Sequence, residues 1–251
     1  MVKLKFFLFV LSIAIVFHSM ATAQDEIVLT STEFPPYESK TLPNYGFVSE
    51  IVKTAFERIG HKVKVLFVPF ERSIKMAQQG SVDGTYAIWY SKERELDFVF
   101  SDPLSSSSIV FYKRHDKSID FGGQYDKLKE HTIGVVQGYI NPPEFEKAHY
   151  LKQYKVKSEV QNLQMLFHGR IDLMLVDKLL AQHLINTKFP HYNNILVPMT
   201  TKLKEDILYL AISRKTNNYQ KKISDFNEGL KQITKDGTIK KIIAKHKQSY
   251  D

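Results

Sequence analysis

The segment Asp83–Leu104, DGTYAIWYSKERELDFVFSDPL, organises the predicted fold. Residues 84–90 place alternate side chains on opposite faces at period two, which predicts a strand. Ser91 follows, with the charged Arg94 three positions later, so we expect Ser91 to be the N-cap of a short helix. The segment is therefore predicted to be a strand that leads directly into the start of a helix.

This junction has the features of a site for an anion. Open α/β sheets bind ligands beyond the carboxyl ends of their strands, and the free N–H groups at a helix start suit a negative charge. Arg94 adds a fixed positive charge whose planar fork of donors matches a carboxylate. The sequence predicts a carboxylate-binding corner here.

Several motifs follow one another in a fixed order along the chain. They are the aromatic pair Phe34 and Tyr37, then Gly46-Phe47, the strand at 84–90, Ser91-x-x-Arg94, and Phe100-Ser101-Asp102-Pro103. This order resembles the periplasmic solute-binding proteins of family 3, the amino-acid-binding type, over essentially the whole chain after the N-terminal segment. The resemblance implies an α/β, two-lobed periplasmic-binding-protein fold of type II, in which each lobe is a central sheet flanked by helices and two hinge crossovers join the lobes.

Length and charge pattern support two lobes. A chain of 251 residues with 43% hydrophobic and 25% charged residues is long enough for more than one core. The charged stretch Lys113–Ser118 is predicted to be a loop-like first crossover, and the charged stretch Lys202–Asp206 is predicted to be the second crossover. We therefore expect lobe 1 over residues 24–112 and 206–251, and lobe 2 over residues 113–205.

Residues 1–23 have the pattern of a cleaved signal peptide. Two lysines precede an apolar run at Phe6–Phe17, and Ala21-Thr22-Ala23 supplies a small-x-small cleavage site. The run is too short to span about 30 Å of hydrocarbon, and no cysteine follows it that could carry a lipid. We expect an exported periplasmic protein that is not a lipoprotein.

Composition excludes several classes of protein. The chain has no cysteine, so it has no disulfide framework, thiolate metal site or cysteine nucleophile. Without Lys3 and Lys5 the balance is 33 basic against 27 acidic residues, a net charge of +6 (33 − 27). The lysines are scattered instead of alternating with aromatic residues, so we expect no nucleic-acid partner. We also expect no cofactor and a monomeric protein.

Four predicted site residues of lobe 1 besides Arg94 are aromatic. In Phe34-Pro35-Pro36-Tyr37 two prolines fix the backbone and hold Phe34 and Tyr37 at a strand end. The segment is either a surface turn with both rings in the core or a stacking wall, and the resemblance places Phe34 at the ligand. Phe70 and Trp89 are expected to add apolar wall.

Arg72 is a further candidate. It lies in the first turn of a predicted helix, where the dipole disfavours a cation, so it either faces solvent or has another partner.

Lobe 2 contributes two predicted segments. Gly138 and Tyr139 follow a strand, at a turn where the resemblance implies a hydroxyl that holds the ligand carboxylate. Tyr139 and Ile140 depart from that pattern. Tyr139, together with Ala87 and Trp89, indicates a crowded or aromatic-lined pocket. Asp177 ends a buried strand just before a helix, so it is a candidate N-cap. The resemblance implies that this aspartate receives the ligand ammonium, and one carboxylate can do both.

These residues together predict a hinge-closing trap for an amino acid or a related amine-bearing carboxylate, delivered to the membrane permease of an ABC transporter. A sensing module for a membrane receptor needs the same closure. A dehydratase-like enzyme on this fold is the other alternative, with Glu38, Glu71 and Lys92 near the expected cleft. We expect binding without catalysis and no fused catalytic domain beyond Asp251.

The signal peptide is directly testable. We expect Gln24 to be the N-terminal residue of protein purified from its native host, because cleavage follows the small-x-small pattern. Intact-mass spectrometry of the periplasmic fraction would check this, and recovery of the chain with Met1 in place would contradict it.

Overall fold

The computed structural model describes residues 26–139 and 141–248. The predicted signal peptide therefore lies outside the described residues. Within these ranges the helices are α1 Phe47–Arg58, α2 Phe70–Gln78, α3 Pro143–Lys147, α4 Glu159–Phe167, α5 Lys178–Lys188, α6 Tyr219–Lys235 and α7 Thr238–Gln248. The strands are β1 Glu26–Ser31, β2 Lys62–Phe67, β3 Gly84–Trp89, β4 Phe98–Phe100, β5 Ser105–Arg114, β6 Thr132–Val136, β7 Lys152–Val156, β8 Leu173–Asp177 and β9 Leu196–Ser213.

The strands form one curled sheet in the order β2-β1-β3-β9-β5-β8-β6-β7, and β4 also pairs with β9. At one end β2, β1 and β3 are parallel, and at the other β8, β6 and β7 are parallel. Helices cover both halves, which confirms the predicted α/β, two-lobed architecture. No helix in the described ranges is long and apolar enough to cross a membrane.

The long strands β5 and β9 join the two halves. They pair antiparallel from Ser105 opposite Leu208 to Arg114 opposite Leu196, with register shifts between Ile109 and Tyr112. On its other edge β9 pairs with β3, and on its other edge β5 pairs with β8. The halves of the sheet are therefore connected by hydrogen-bonded strands.

The loop predicted at Lys113–Ser118 begins later than expected, and the second crossover is part of a strand. Lys113 is the next-to-last residue of β5, and Lys202–Asp206 lies inside β9. The charged side chains in these parts of β5 and β9 are half-buried or exposed, so they are compatible with backbone pairing. The lobe boundaries given above stay a prediction.

Each half has apolar clusters on both sides of the sheet. In the second half β5 supplies both, because Ile109 and Phe111 pack on one face while Val110 and Tyr112 pack on the other. In the first half the larger cluster lies between the sheet and helices α1, α6 and α7. The sheet is thus a fixed platform from which loops at the strand ends project.

Helices α1 and α6 approach closely at Gly229. A Cβ atom at this position would collide with the carbonyl oxygen of Ala55 in α1 and lie 3.1 Å from Cγ1 of Ile59. Intrinsic helix propensity favours alanine over glycine by about 1 kcal/mol. The close packing therefore predicts that Gly229→Ala destabilises the protein, whereas helix propensity predicts that it stabilises the protein.

We expect Gly229→Ala to lower the free energy of unfolding by at least about 1 kcal/mol, because overpacking typically costs 1–3 kcal/mol. Ser224→Ala, on the exposed side of the same helix, is the control and should be neutral or slightly stabilising. Urea unfolding measures both. A more stable Gly229→Ala protein would contradict the described contact between α1 and α6.

Candidate functional site

A cavity of about 780 Å³, including its opening to solvent, lies between the two lobes. Both lobes line it, and six of the predicted site residues contribute: Phe34, Phe70, Trp89, Arg94, Tyr139 and Asp177. A wider outer cleft adjoins it and is lined in part by Gly138. The structure does not bring Tyr37 or Arg72 to either lining, since Tyr37 is buried and Arg72 is exposed.

Strand β3 reaches the cavity through an irregularity that its sequence does not reveal. Ala87 adopts a left-handed backbone conformation with φ of 55°, and the register against β9 shifts between Thr85 and Ile88. Ala87, Ile88 and Trp89 consequently all line the cavity, although they are consecutive. The predicted regular alternation over residues 84–90 is wrong at this point, because a bulge re-aims the side chains.

The predicted helix after Ser91 is only one turn. The hydroxyl of Ser91 accepts the backbone N–H of Arg94 at 3.2 Å, as an N-cap should, but the following 3₁₀ turn ends at Leu96. Only a few residues separate β3 from β4, so a longer helix does not fit. An anion in this corner would therefore depend on the Arg94 side chain and not on a helix dipole.

The guanidinium of Arg94 is held in place by neutral groups. Its Nη1 donates to the carbonyl oxygen of Trp89 at 2.8 Å, and its Cζ lies 5.7 Å from the centre of the Phe70 ring. Burial lowers the pKa of Arg94, and the nearby Glu93 acts in the opposite direction. No carboxylate in residues 26–139 and 141–248 forms an ion pair with Arg94. The cavity therefore contains a positioned positive charge without an anionic partner.

Asp177 has the opposite character, because its carboxylate is fully hydrogen-bonded. It accepts the N–H of Leu180 at 2.9 Å, which confirms the predicted N-cap, and the N–H of Ser108 at 3.1 Å. The hydroxyls of Ser107 and Tyr37 donate to it at 2.8 Å and 3.1 Å. Burial raises the pKa of Asp177 and these bonds oppose that effect. Its role towards an ammonium stays a prediction.

Tyr37 lies behind the cavity wall. Its ring stacks on Phe34 with 4.7 Å between the ring centres, and its hydroxyl reaches Asp177 in the other lobe. Burial, together with the Asp177 charge, raises the pKa of Tyr37. Tyr37 therefore packs against the ring of Phe34 and links the two lobes.

Two further acids line the cavity. Glu38 is 1% exposed, and burial raises its pKa well above the ordinary value although it accepts the Ser31 hydroxyl at 2.8 Å. Backbone hydrogen bonds between Phe34 and Glu38 close the Pro-Pro turn and set these two residues side by side. Glu159 is 7% exposed, and burial raises its pKa to about 8. Glu159 is not among the predicted site residues, because its sequence shows only that it directly follows the N-cap Ser158 of α4.

The turn after β6 brings the lobes close together. Gly138 has φ of 84°, and Oε1 of Glu71 in the other lobe lies 2.8 Å from the point where a Cβ of residue 138 would be. A side chain at this position would therefore strain the backbone and push against Glu71. Of the candidate catalytic residues, Glu38 lines the cavity, Glu71 lines the outer cleft, and Lys92 is exposed outside both.

The described residues contain no group of three or more His, Asp or Glu side chains that could hold a metal ion. The side chains that line the cavity include one guanidinium, three buried carboxyl groups and several aromatic rings.

Sequence comparison identifies the class of protein. Residues 27–249 match the bacterial extracellular solute-binding proteins, family 3, and the chain belongs to this family. No curated protein matches the sequence.

Solved structures share the fold. A mutant of ArgBP from T. maritima has a TM-score of 0.74 at 21% identity, covering 89% of this chain and 95% of that one. The ABC transporter substrate-binding protein AbpA from Streptococcus pneumoniae, bound to L-arginine, has a TM-score of 0.74 at 15% identity, covering 90% and 96%. A histidine kinase sensor domain with similarity to periplasmic binding proteins has a TM-score of 0.75 at 19% identity, covering 88% and 96%.

The bond between Tyr37 and Asp177 gives a stability prediction. We expect Tyr37→Phe to lower the free energy of unfolding by about 1.5–3 kcal/mol at neutral pH, because a buried acid loses one of its donors. Tyr112→Phe is a matched control, since the Tyr112 hydroxyl is buried and has no hydrogen-bond partner among the described residues. The control should change stability by less than about 0.5 kcal/mol or raise it. Equal losses in the two variants, measured by urea unfolding, would contradict the described network.

Proposed function

We propose that this protein is an exported, monomeric solute-binding protein of the periplasm. It captures a small ligand, an amino acid or related amine-bearing carboxylate, and delivers it to the permease of an ABC transporter. One observation carries the proposal: Arg94 presents to a cavity between two lobes a guanidinium that has no anionic partner among the residues the structure describes. Such a charge is costly unless a ligand completes it.

The arrangement supports capture by closure of the lobes. Arg94 is on the first lobe, while Asp177 and Glu159 are on the second. A ligand with a carboxylate and a cationic group pairs with both sides only when the lobes are together, so it stabilises the closed form selectively. A neutral sugar or a simple dicarboxylate would leave one side of this charge distribution unpaired.

The cavity walls support a ligand with some apolar surface. Phe34, Phe70, Trp89 and Tyr139 all contribute aromatic rings to the lining. Such walls exclude water and strengthen charged contacts at either end. L-arginine, the ligand of the structurally similar AbpA, has this combination of carboxylate, amines and an aliphatic stem.

Sensing is the second candidate. The histidine kinase sensor domain among the similar structures favours it, because that domain has the same fold. In this alternative the ligand and the closure are unchanged and the partner is a membrane receptor. Uptake of radiolabelled amino acids by cells with and without the gene separates transport from sensing. Loss of the gene should reduce uptake if the protein serves transport and should leave uptake unchanged if it serves sensing.

A thermal-shift screen tests the binding function. At 100 times its dissociation constant, a true ligand stabilises the native protein by about 2.7 kcal/mol. For a chain of this size that is about 5–10 °C in melting temperature. Failure of every amino acid and amine-bearing carboxylate to shift the transition would contradict the proposed ligand class.

We expect Arg94→Lys to weaken binding of the best amino acid in that screen by at least about thirtyfold. The charge is retained, but the bidentate fork is lost. Arg72→Lys is the control, because Arg72 is exposed and lies outside both the cavity and the cleft. Isothermal titration calorimetry measures both variants. An Arg94→Lys protein that binds within about threefold of the wild type would remove Arg94 as the anchor.

A further inference from the structure

Glu159 is the cavity acid whose environment is incomplete. Its Oε2 atom is buried and has no hydrogen-bond partner among the residues that the structure describes. The other two acids differ: Asp177 accepts four donors, and Glu38 accepts the Ser31 hydroxyl. Buried carboxyl oxygens are nearly always paired in folded proteins, so an unpaired one that lines a cavity needs an explanation.

Glu159 is buried at a helix position where an acidic side chain is normally exposed. It is the first residue of α4, where an acidic side chain normally points to water and interacts with the helix dipole. Here the residue is 7% exposed and lines both the cavity and the outer cleft. Glu144, in the first turn of α3 in the same lobe, shows the ordinary arrangement and is exposed.

The charges around the cavity indicate what Glu159 would accept. Arg94 is the cationic side chain of the cavity lining within the described ranges, against three carboxyl groups. A ligand carboxylate at Arg94 neutralises that cation, and the family resemblance implies that the α-ammonium of the ligand lies at Asp177. An amino acid with a neutral side chain would therefore leave Glu159 unpaired in a site closed to water.

We propose that Glu159 receives a second, distal cationic group, and that the ligand is a basic amino acid with an ammonium or guanidinium at the end of its side chain. The inference rests on the proposed function. Glu159 is then the residue that separates basic amino acids from neutral ones of the same shape. The aromatic rings of Phe34 and Tyr139, which also line the cavity, lie along the ligand stem.

Proton exchange gives an independent signature. Burial is the main cause that raises the pKa of Glu159 to about 8; the side chain of Asn162 acts in the opposite direction, and the Asp177 charge adds a smaller upward contribution. The empty site therefore holds Glu159 protonated at pH 7, and a ligand cation favours the ionised form. Binding should release a proton, and affinity should rise with pH up to about 8 and then level off. The titratable groups that share its cavity or cleft are Glu33, Glu38, Glu71, Arg94, Tyr139, Lys157, Asp177 and Lys188.

The test compares L-arginine with L-citrulline, which has nearly the same shape but a neutral ureido group in place of the guanidinium. The wild type should bind L-arginine at least about thirtyfold more tightly than L-citrulline. Glu159→Gln should lose at least about thirtyfold in affinity for L-arginine and stay within about threefold for L-citrulline, because only the charged pair is removed. Glu144→Gln is the matched control and should leave both affinities unchanged.

Calorimetry in two buffers of different ionisation enthalpy supplies the second measurement. L-arginine should release a proton from the wild type at pH 7 and none from Glu159→Gln. The ligand-free variant should melt at or above the wild-type temperature, because it loses a buried carboxyl group, so a folding defect is excluded by the same preparation.

The outcomes separate the inference from the function on which it rests. Equal binding of L-arginine and L-citrulline, unaffected by Glu159→Gln but weakened by Arg94→Lys, would overturn the role of Glu159 and leave amino-acid binding intact. Binding of neither probe, and of no other amino acid, would overturn the proposed function itself.

Discussion

The antiparallel ladder between β5 and β9 holds the two halves of the sheet together. It is the bridge between two half-sheets whose outer strands run parallel, and both lobes attach their inner strands to it. Its register shifts lie between Ile109 and Tyr112, near the point where β5 begins to pair with β8. Bulges allow a ladder to bend and twist while the pairs on either side persist. Such a connection would let the lobes close, as the proposed function requires, without losing backbone partners.

The cavity next to this connection contains a cationic and an acidic side chain whose partners are incomplete among the described residues. Arg94 has neutral partners only among the described residues, and Glu159 has an unpaired carboxyl oxygen. Both arrangements cost free energy in the empty protein, because a buried cation and a buried acid lack full compensation for the water they lose. In the proposed function, a ligand that carries both charges recovers this cost, so the same groups set selectivity and closure. Asp177, whose carboxylate accepts four donors, is held in a fixed position on the second-lobe side of the cavity.

The sequence predicted the family, the two-lobed α/β fold, Arg94 at the cavity and Asp177 as a helix cap, because each follows from local motifs and their order. It missed what depends on contacts between distant segments. The left-handed Ala87 cannot be inferred from a regular alternation, since alanine has no preference for that conformation. Glu159 reads as an ordinary first-turn acid until the opposite lobe covers it. The charged parts of β5 and β9 resembled loops in the sequence because most of their residues are charged. They form strands because the backbone pairs with neighbouring strands while the charged side chains stay outside the core.

The hydrogen bond from Tyr37 to Asp177 has a consequence for the empty protein. It joins the lobes through groups that belong to the chain itself, so it favours approach of the lobes even in the absence of solute. A binding protein held this way occupies its closed form for a larger fraction of time when empty. The solute then has less conformational free energy to supply and binds more tightly. A membrane partner that reads only lobe closure would in turn register a background signal from unloaded molecules, so it must also sense the occupied cavity.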